Sequence, residues 1–336
     1  MKRRTFLKAV GTLALTPAPF AAARRAGAQQ PIVIKSANVH QVDAVIQSGH
    51  KKFAELVAER TNNRIQVQVF MASQLGTEQE ILEGVQLGSV HMFEGSTGAA
   101  GRFLPELEAF SAPYVWKDID HMERTVRGPI GDSLADRLLK SQGMRVLDFG
   151  WLFGYRYLTT KGKAISKPED LRGMKIRVQP TAIYLEIIRA MGANPVPMDT
   201  KEVYLGLQTG VIDGQENTID SIYSAKLYEV QKYLMMTGHI LQNQTVLINE
   251  KFYQGLSPAF QQVLREAAVE AGNFQNDLLL KQEKVRMDAL KEKGMTIVSP
   301  DVNAFREATK DVWKKTSAKW EPGFYEKIQR FQAELK

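Results

Sequence analysis

Two segments of the chain share one pattern, and this repeat limits the possible folds more than any other feature. Residues 80–94, "EILEGVQLGSVHMFE", align without a gap with residues 202–216, "EVYLGLQTGVIDGQE", at an offset of 122 positions (202 − 80). A chain with such a repeat is expected to have two halves that are built alike. The positions identical in both copies are Glu80 and Glu202, Gly84 and Gly206, Gln86 and Gln208, Gly88 and Gly210, and Glu94 and Glu216.

Each copy predicts a helix followed by a short strand. Thr77 with Glu80, and Asp199 with Glu202, are capping-box signals at the two helix starts. Each helix then meets a glycine suited to the left-handed position after its end, and the next strand runs into polar residues, "EGST" or "QENT". We expect these strand ends to face each other across a cleft, because ligands of open α/β sheets lie at the carboxyl ends of strands.

Strand and helix patterns alternate through most of the chain. "IVIKSANV" predicts the first strand, residues 44–61 a helix with an apolar stripe, and "RIQVQVF" the second strand. This alternation favours an α/β fold with largely parallel strands. From Ser257 (N-cap) and Pro258 (first turn), a helix is predicted to about Lys293, broken only at Gly272. It would be roughly 50 Å long, so it either braces both lobes or kinks at Gly272.

Residues 1–28 have the order of an export signal. Arg3 and Arg4 begin the segment "RRTFLK", which resembles the twin-arginine type, and a weakly apolar run and the small-residue site Ala26–Ala28 follow. The run is too short to span a bilayer. The alternative is a disordered basic tail. An export signal predicts a soluble protein of the periplasm.

Removing this segment changes the interpretation of the charge. The formal charge is +7, and residues 1–28 hold six basic and no acidic side chains, so the remainder carries +7 − 6 = +1. This balance gives no support for binding nucleic acid or an anionic membrane. The remaining 336 − 28 = 308 residues are enough for two domains. The chain has no cysteine, which excludes disulfides and a thiol nucleophile.

Arg177 stands near the carboxyl end of the predicted strand "MKIRV", directly before a helix. A short helix, opened by Ser166 with Glu169 and ended at Gly173, is predicted before this strand. Asn217 occupies the corresponding position after the strand "GVIDG". A guanidinium binds a carboxylate through two parallel hydrogen bonds, and an amide can complete such a site. The residues therefore favour a carboxylate site at these strand ends.

Several motifs in a fixed order carry a resemblance to one family: "SQLGTEQEILEGVQLGSV", "DLRGMKIRVQ", "MGANPVPM", "EVYLGLQTGVIDGQEN" and "YEVQKYLMMTGH". With them the chain resembles the solute-binding proteins of tripartite ATP-independent periplasmic (TRAP) transporters, a family that includes C4-dicarboxylate binders. The resemblance implies an α/β fold with two lobes, a central ligand cleft, a hinge and a long lobe-spanning helix. We expect residues 29–153 with about 243–282 in lobe I, and 154–242 with about 283–336 in lobe II.

The resemblance also implies which residues bind the ligand. Arg177 is expected to clamp a carboxylate, Arg156 in "GYRYLTT" to assist, and Asn217 to contact the same carboxylate or the group beside it. The family often has an aromatic residue before the "EVY" helix, where this chain has Thr200. No cofactor, metal ion or catalytic residue is expected. The further candidates for the polar rim are Gln179, Gln215, Glu216, Ser96, Thr97, Asn38 and His40.

The expected function is capture of a small carboxylate and its delivery to the membrane subunits of a TRAP transporter by a monomeric binding protein. The polar rim, with Thr200 in place of an aromatic residue, favours a sugar acid over a 2-oxo acid. A C4-dicarboxylate stays open, with Arg156 holding its second carboxylate. A subunit that presents its closed form to a sensor partner would have the same site.

Other chemistries have little support in the residues. The histidines show no metal-ligand spacing, and "GSTGAAG" lacks the Lys-Ser/Thr end of a phosphate-binding loop. The chain has no G-x-S-x-G nucleophile motif in this segment. Glu94 and Glu216 are expected to pair with nearby cations rather than to act as an acid–base pair. An exported α/β hydrolase or lyase remains the alternative, although no nucleophile is visible.

Overall fold

One mixed β-sheet runs through the computed structural model, which describes residues 30–334. The predicted export signal, residues 1–28, lies outside the described residues. The strands are β1 (Ile32–Ala37), β2 (Ile65–Phe70), β3 (Met92–Ser96), β4 (Met144–Thr160), β5 (Lys175–Val178), β6 (Asn194–Pro197), β7 (Gly214–Thr218), β8 (Tyr233–Asn249) and β9 (Thr296–Val298). The helices are α1 (Ile46–Arg60), α2 (Glu78–Leu87), α3 (Thr97–Ala100), α4 (Ile119–Val126), α5 (Pro129–Gln142), α6 (Ala182–Ala190), α7 (Val203–Gln208), α8 (Ile219–Ser224), α9 (Glu250–Gln254), α10 (Pro258–Glu292), α11 (Val302–Thr309), α12 (Val312–Thr316) and α13 (Phe324–Glu334).

The sheet has two similar halves joined by two long strands. Its strand order is β2-β1-β3-β8-β4-β7-β5-β6, with β9 beside β8. Pairing is parallel within β2-β1-β3 and within β7-β5-β6, as the alternating pattern predicts. The expectation of largely parallel strands is wrong for the middle of the sheet, where β3, β8, β4 and β7 pair antiparallel. The reason is that β4 carries the chain from the first half to the second, and β8 carries it back.

The sequence repeat corresponds to equivalent elements. Helix α2 and strand β3 of the first half match α7 and β7 of the second, and β3 and β7 keep the offset of 122 residues. Thr77 and Glu80 form the predicted capping box. The second signal is only partly right, because Asp199 precedes a 3₁₀ turn, Thr200–Glu202, and makes no side-chain capping bond. The predicted glycine ends have positive φ, 83° at Gly88 and 76° at Gly210.

The approach to β5 differs slightly from the prediction. The segment before it is a 3₁₀ turn, Pro168–Leu171, and Asp170, not Glu169, accepts the backbone N–H groups of Ser166 and Lys167. The turn still leads to Gly173, which has a φ of 78°, and then into β5. The misplaced cap changes neither the strand nor the position of Arg177 on it.

Helix α10 is continuous from Pro258 to Glu292, so the predicted break at Gly272 is wrong. Its start agrees with the prediction, because the Ser257 hydroxyl accepts the N–H of Phe260 at 3.4 Å. Gly272 serves packing instead: a Cβ there would lie 2.6 Å from the Trp151 ring on β4. Gly49 of α1 contacts the same ring, at 2.7 Å from its would-be Cβ, so both helices pack closely over β4. Among the described residues, no helix has the length and apolarity needed to cross a membrane.

Candidate ligand-binding site

Arg177 is a buried cation that forms no ion pair with an acidic side chain of the described residues, 30–334. It lies near the carboxyl end of β5, and its side chain is 1% exposed. Its Nε donates to the Met198 carbonyl at 2.9 Å, and its Nη2 approaches the Thr200 hydroxyl at 3.5 Å. No acidic side chain within residues 30–334 forms an ion pair with it. Burial, with a contribution from the like charge of Arg156, lowers the pKa of Arg177 to about 10. A buried guanidinium in this state would gain most from an anionic ligand.

The Arg177 side chain lines a small cavity between the two halves of the sheet. Arg177, Gln179 and Thr200 line it from the second half. Residues 77–79 at the start of α2 line it from the first half. The cavity volume is about 30 Å³, enough for one or two waters, which need ~10–15 Å³ each. A six-carbon acid can therefore enter only if the two halves move apart.

Glu78 lines the cavity and is not among the residues predicted from the sequence. Its Oε1 accepts the Ser96 N–H at 2.9 Å, and its Oε2 lies 3.5 Å from Nε2 of Gln179, a contact between the two halves. Burial raises the pKa of Glu78, although the Ser96 amide acts in the opposite direction. The repeat contains the signal that could have found it. At the offset of 122, Glu78 corresponds to Thr200 (78 + 122), and both line the cavity.

Arg156 and Glu216 form a buried ion pair behind the cavity. The Arg156 guanidinium donates to both carboxylate oxygens of Glu216, to the Glu216 carbonyl at 2.8 Å, and to Gln242 Oε1 at 2.6 Å. Burial alone would raise the pKa of Glu216, but Arg156 and His239 hold it at about 2. Most donors of Arg156 are therefore occupied by the protein itself. Its predicted contact with the ligand stays a prediction, and neither Arg156 nor Glu216 lines the cavity.

Glu94 has a corresponding position in the first half, at the offset of 122 (94 + 122 = 216). Its Oε2 lies 3.0 Å from His50 Nε2 and 3.5 Å from His40 Nε2, and the carboxylate is fully buried. Burial alone would raise the pKa of Glu94, but the two imidazoles hold it at about 2. Burial acts to lower the pKa of His40, and Glu94 outweighs it and raises this pKa. Glu216 thus pairs with the Arg156 cation, as expected, and Glu94 pairs with two histidines.

The two clusters are joined through neighbouring glutamines of β8. Gln244 Nε2 lies 3.2 Å from His40 Nε2, and Gln242 Nε2 donates to Gln244 Oε1 at 3.3 Å. Gln242 in turn accepts from Arg156. A continuous row of buried polar contacts thus connects Glu94 of the first half with Glu216 of the second.

The remaining predicted residues lie at different depths. Gln179 lines the cavity, and its Oε1 is buried with no hydrogen-bond partner in residues 30–334. Ser96 does not line the cavity, but its backbone N–H donates to Glu78, which does. Thr97 donates to the Asn243 carbonyl at 3.3 Å. Asn217 lines a separate open groove of about 420 Å³, which it shares with Thr200.

Asn38, His40 and Gln215 do not line the cavity either. The Asn38 side chain accepts the His40 N–H at 3.0 Å and also bonds Gln47. Gln215 donates to the Thr159 hydroxyl at 2.9 Å. The structure thus brings Arg177 and Gln179 together at the cavity and places the other predicted residues around it. Within residues 30–334, no group of His, Asp and Glu side chains is arranged to hold a metal ion.

Comparison with known proteins shows which family this chain belongs to. Residues 36–319 match the model of the bacterial extracellular solute-binding proteins, family 7. The chain belongs to this family. A 2,3-diketo-L-gulonate-binding periplasmic protein of Escherichia coli is 37% identical over 260 residues, which are 77% of this chain and 78% of that protein. A sialic acid-binding periplasmic protein of Vibrio cholerae is 34% identical, over 82% of this chain and 85% of that protein.

A solved structure agrees with the fold of this family 7 protein. A TRAP periplasmic solute-binding protein of Actinobacillus succinogenes with bound L-galactonate has a TM-score of 0.86 and 30% identity, and covers 90% of this chain and 99% of that chain. The chain therefore has the two-lobed α/β fold of these proteins, with a central cleft, a hinge and a long lobe-spanning helix. It is an extracellular-type solute-binding protein, not an enzyme.

Proposed function

We propose that this family 7 protein captures a small carboxylic acid, most favourably a sugar acid, and delivers it to the membrane subunits of a TRAP transporter. The observation that carries the proposal is Arg177, a buried guanidinium at the cavity with no acidic partner in the described chain. A ligand carboxylate would supply the missing counter-charge. Expulsion of water on closure would strengthen this contact.

The rest of the cavity wall supports a hydroxylated acid. Glu78, Gln179 and Thr200 offer donors and acceptors, and Gln179 Oε1 lacks a partner. Hydroxyl groups of a sugar acid would satisfy these groups, whereas a short 2-oxo acid would leave them unpaired at a cost of about 1–3 kcal/mol each. The E. coli relative is named for binding 2,3-diketo-L-gulonate, and the A. succinogenes structure has bound L-galactonate. Both ligands are sugar acids, which supports the same choice. A C4-dicarboxylate is the alternative solute, but its second carboxylate would face Glu78.

Binding requires the cleft to open, since the cavity holds only about 30 Å³. The two middle strands are suited to a hinge. Their pairing shifts register between Leu152 and Gly154 and again between Arg156 and Leu158. We propose residues 29–153 with about 243–282 as lobe I and residues 154–242 with about 283–336 as lobe II, so that the chain crosses between lobes in β4 and β8.

The proposed roles of the site residues follow from their depth. Arg177 clamps the carboxylate, and Gln179 and Glu78 contact the hydroxyl groups. Arg156 and Asn217 assist after the cleft has rearranged. Ser96, Thr97, Glu216, Asn38 and His40 form the surrounding polar layer. We further propose that residues 1–28 are a cleavable twin-arginine signal, that the protein acts as a monomer in the periplasm, and that it needs no cofactor.

A thermal-shift screen tests this function. The chain without residues 1–28 is unfolded and refolded to remove bound solute, and is then screened against sugar acids, C4-dicarboxylates and 2-oxo acids, each beside its neutral amide or alcohol. A solute at a hundred times its dissociation constant should stabilise the protein by about 2.7 kcal/mol, which is several degrees. Arg177→Ala should abolish the shift, while Arg172→Ala, at an exposed position five residues away, should keep it. No shift with any acid, or an equal shift in Arg177→Ala, would contradict the proposal.

A further inference from the structure

Arg286 connects helix α10 to both halves of the sheet, outside the cavity that Arg177 lines. It lies in the second half of α10. Its Nε is 2.9 Å from Asp220 Oδ1 on α8, and its Nη2 donates to the Asp43 carbonyl at 2.8 Å. Asp220 Oδ2 in turn accepts the Val45 N–H at 3.0 Å. These groups come from segments 175 and 243 residues apart in sequence.

These contacts cross the cleft. Asp43 and Val45 lie between β1 and α1 in the first half, and Asp220 follows β7 in the second half. In the sheet β1 and β7 are separated by β3, β8 and β4, so the contacts reach past the middle strands. The other cross-cleft contact described above, Glu78 to Gln179, lies at the cavity. The two halves of the sheet thus contact each other in two places: at the cavity, and where residues 43–45 meet Asp220 and Arg286.

Arg286 and Asp220 both lie in the proposed lobe II, and their contacts with residues 43–45 of lobe I are held in a way that suits repeated closing and opening. The side chains of Arg286 and Asp220 are 15% and 5% exposed, so both lose most of their water when the cleft closes. Burial raises the pKa of Asp220, although Arg286 and the Val45 amide act in the opposite direction. Desolvation therefore cancels much of the attraction. Tyr223 of α8 adds a ring 4.7 Å from the Arg286 guanidinium carbon, which positions the cation even before Asp43 approaches.

We propose that Arg286, Asp220 and residues 43–45 form an interlobe latch that holds the cleft closed and sets the rate at which bound solute leaves. The solute is the acid of the proposed function, so this part of the inference rests on that function. The closing of the latch itself does not, because its contacts join only groups of the protein. Arg286 touches no cavity residue and is a positioning residue.

The test uses two single variants and a matched control. Arg286→Gln removes the cation, and Asp220→Asn removes the ion pair while keeping an oxygen for the Val45 N–H. Arg60→Gln is the control, because Arg60 also pairs with an acid of α10, Glu270, but within lobe I. Since the chain has no cysteine, spin labels can be placed at Glu55→Cys on α1 and Leu205→Cys on α7 to follow the distance between the lobes.

The distance distribution is measured without solute and with the acid that gives the largest thermal shift, and the dissociation rate of that acid is measured by stopped flow. In Arg286→Gln and Asp220→Asn we expect a smaller closed fraction and a dissociation rate about tenfold faster with little change in association. The double variant should fall short of the sum of the two single effects, because Arg286 and Asp220 contact each other. Arg60→Gln should resemble the unmodified protein.

The latch would be overturned if both variants had the closed fraction and dissociation rate of Arg60→Gln, or if the unmodified protein had no closed population in either condition. Failure of the proposed function has a different signature. In that case no acid binds any variant, and the closed fraction without solute alone decides the latch.

Discussion

Glu94 and Glu216 hold equivalent positions in the two halves of the sheet, and each contacts buried basic side chains. Glu94 contacts His40 and His50, and Glu216 contacts Arg156 and His239. Two residues that the repeat aligns thus have similar surroundings, with two histidines beside Glu94 and an arginine and a histidine beside Glu216. Because Glu216 pairs with the Arg156 guanidinium, we propose Arg177 as the cation that accepts the ligand.

Removing the carboxylate of Glu216 should destabilise the protein strongly. Glu216→Gln leaves Arg156 buried and without its counter-charge, and Arg177 already contributes a like charge nearby. We expect a loss of about 3–5 kcal/mol in the free energy of unfolding, measured with urea. Glu250→Gln is the control, because its pair with Arg145 is about a quarter exposed and should cost about 1 kcal/mol or less. Equal losses in the two variants would contradict the buried-pair interpretation.

The same two glutamates should make the protein sensitive to acid. Their folded-state pKa values are lowered from 4.5 to about 2, so the unfolded chain takes up protons first as the pH falls. The stability they provide is full above about pH 4.5 and is lost as the pH falls toward 2. Urea midpoints between pH 7 and pH 3 should show this loss. Glu94→Gln should start lower and lose less over the same range, and a parallel decline would argue against the assignment.

Glu78 should set the preference for hydroxylated acids. Glu78→Gln removes an acceptor for ligand hydroxyls and also the negative charge that a second carboxylate would face. We expect affinity for the sugar acid to fall about tenfold, a loss of about 1–1.5 kcal/mol, while affinity for a C4-dicarboxylate stays or rises. Titration calorimetry measures both. Glu83→Gln, on the exposed side of α2, should change neither; a matching loss there would remove Glu78 from the site.

Gly272→Ala should destabilise the protein although alanine is the better helix former. Its Cβ would lie 2.6 Å from the Trp151 ring, and overpacking of this kind costs about 1–3 kcal/mol, more than the ~1 kcal/mol gained in helix propensity. Thermal and urea unfolding measure the difference. In a Trp151→Leu background the substitution should cost less, because the clash is gone. The same cost in both backgrounds would place the strain elsewhere.

Much of this protein could be predicted from short segments of sequence. The Thr77 capping box, the start of α10 at Ser257 and the positive φ values of Gly88 and Gly210 depend on residues close together in the chain. Arg177 at a strand end follows from a pattern of the same short range, and the two-lobed plan follows from two short segments that resemble each other at an offset of 122 residues. These are the features that a local pattern can specify.

The partners of the charged groups were decided only by the tertiary structure. Arg156 meets Glu216, 60 residues away in the sequence, and its contact with the ligand stays a prediction. Glu78 reaches Gln179 over 101 residues, and Arg286 reaches Asp43 over 243. Such contacts depend on how β4 and β8 carry the chain from one lobe to the other and back. The spacing of residues in the sequence does not show which of them meet. The sequence alone indicated which residues could bind an acid, and the fold decided that Arg177 has no acidic ion-pair partner within residues 30–334.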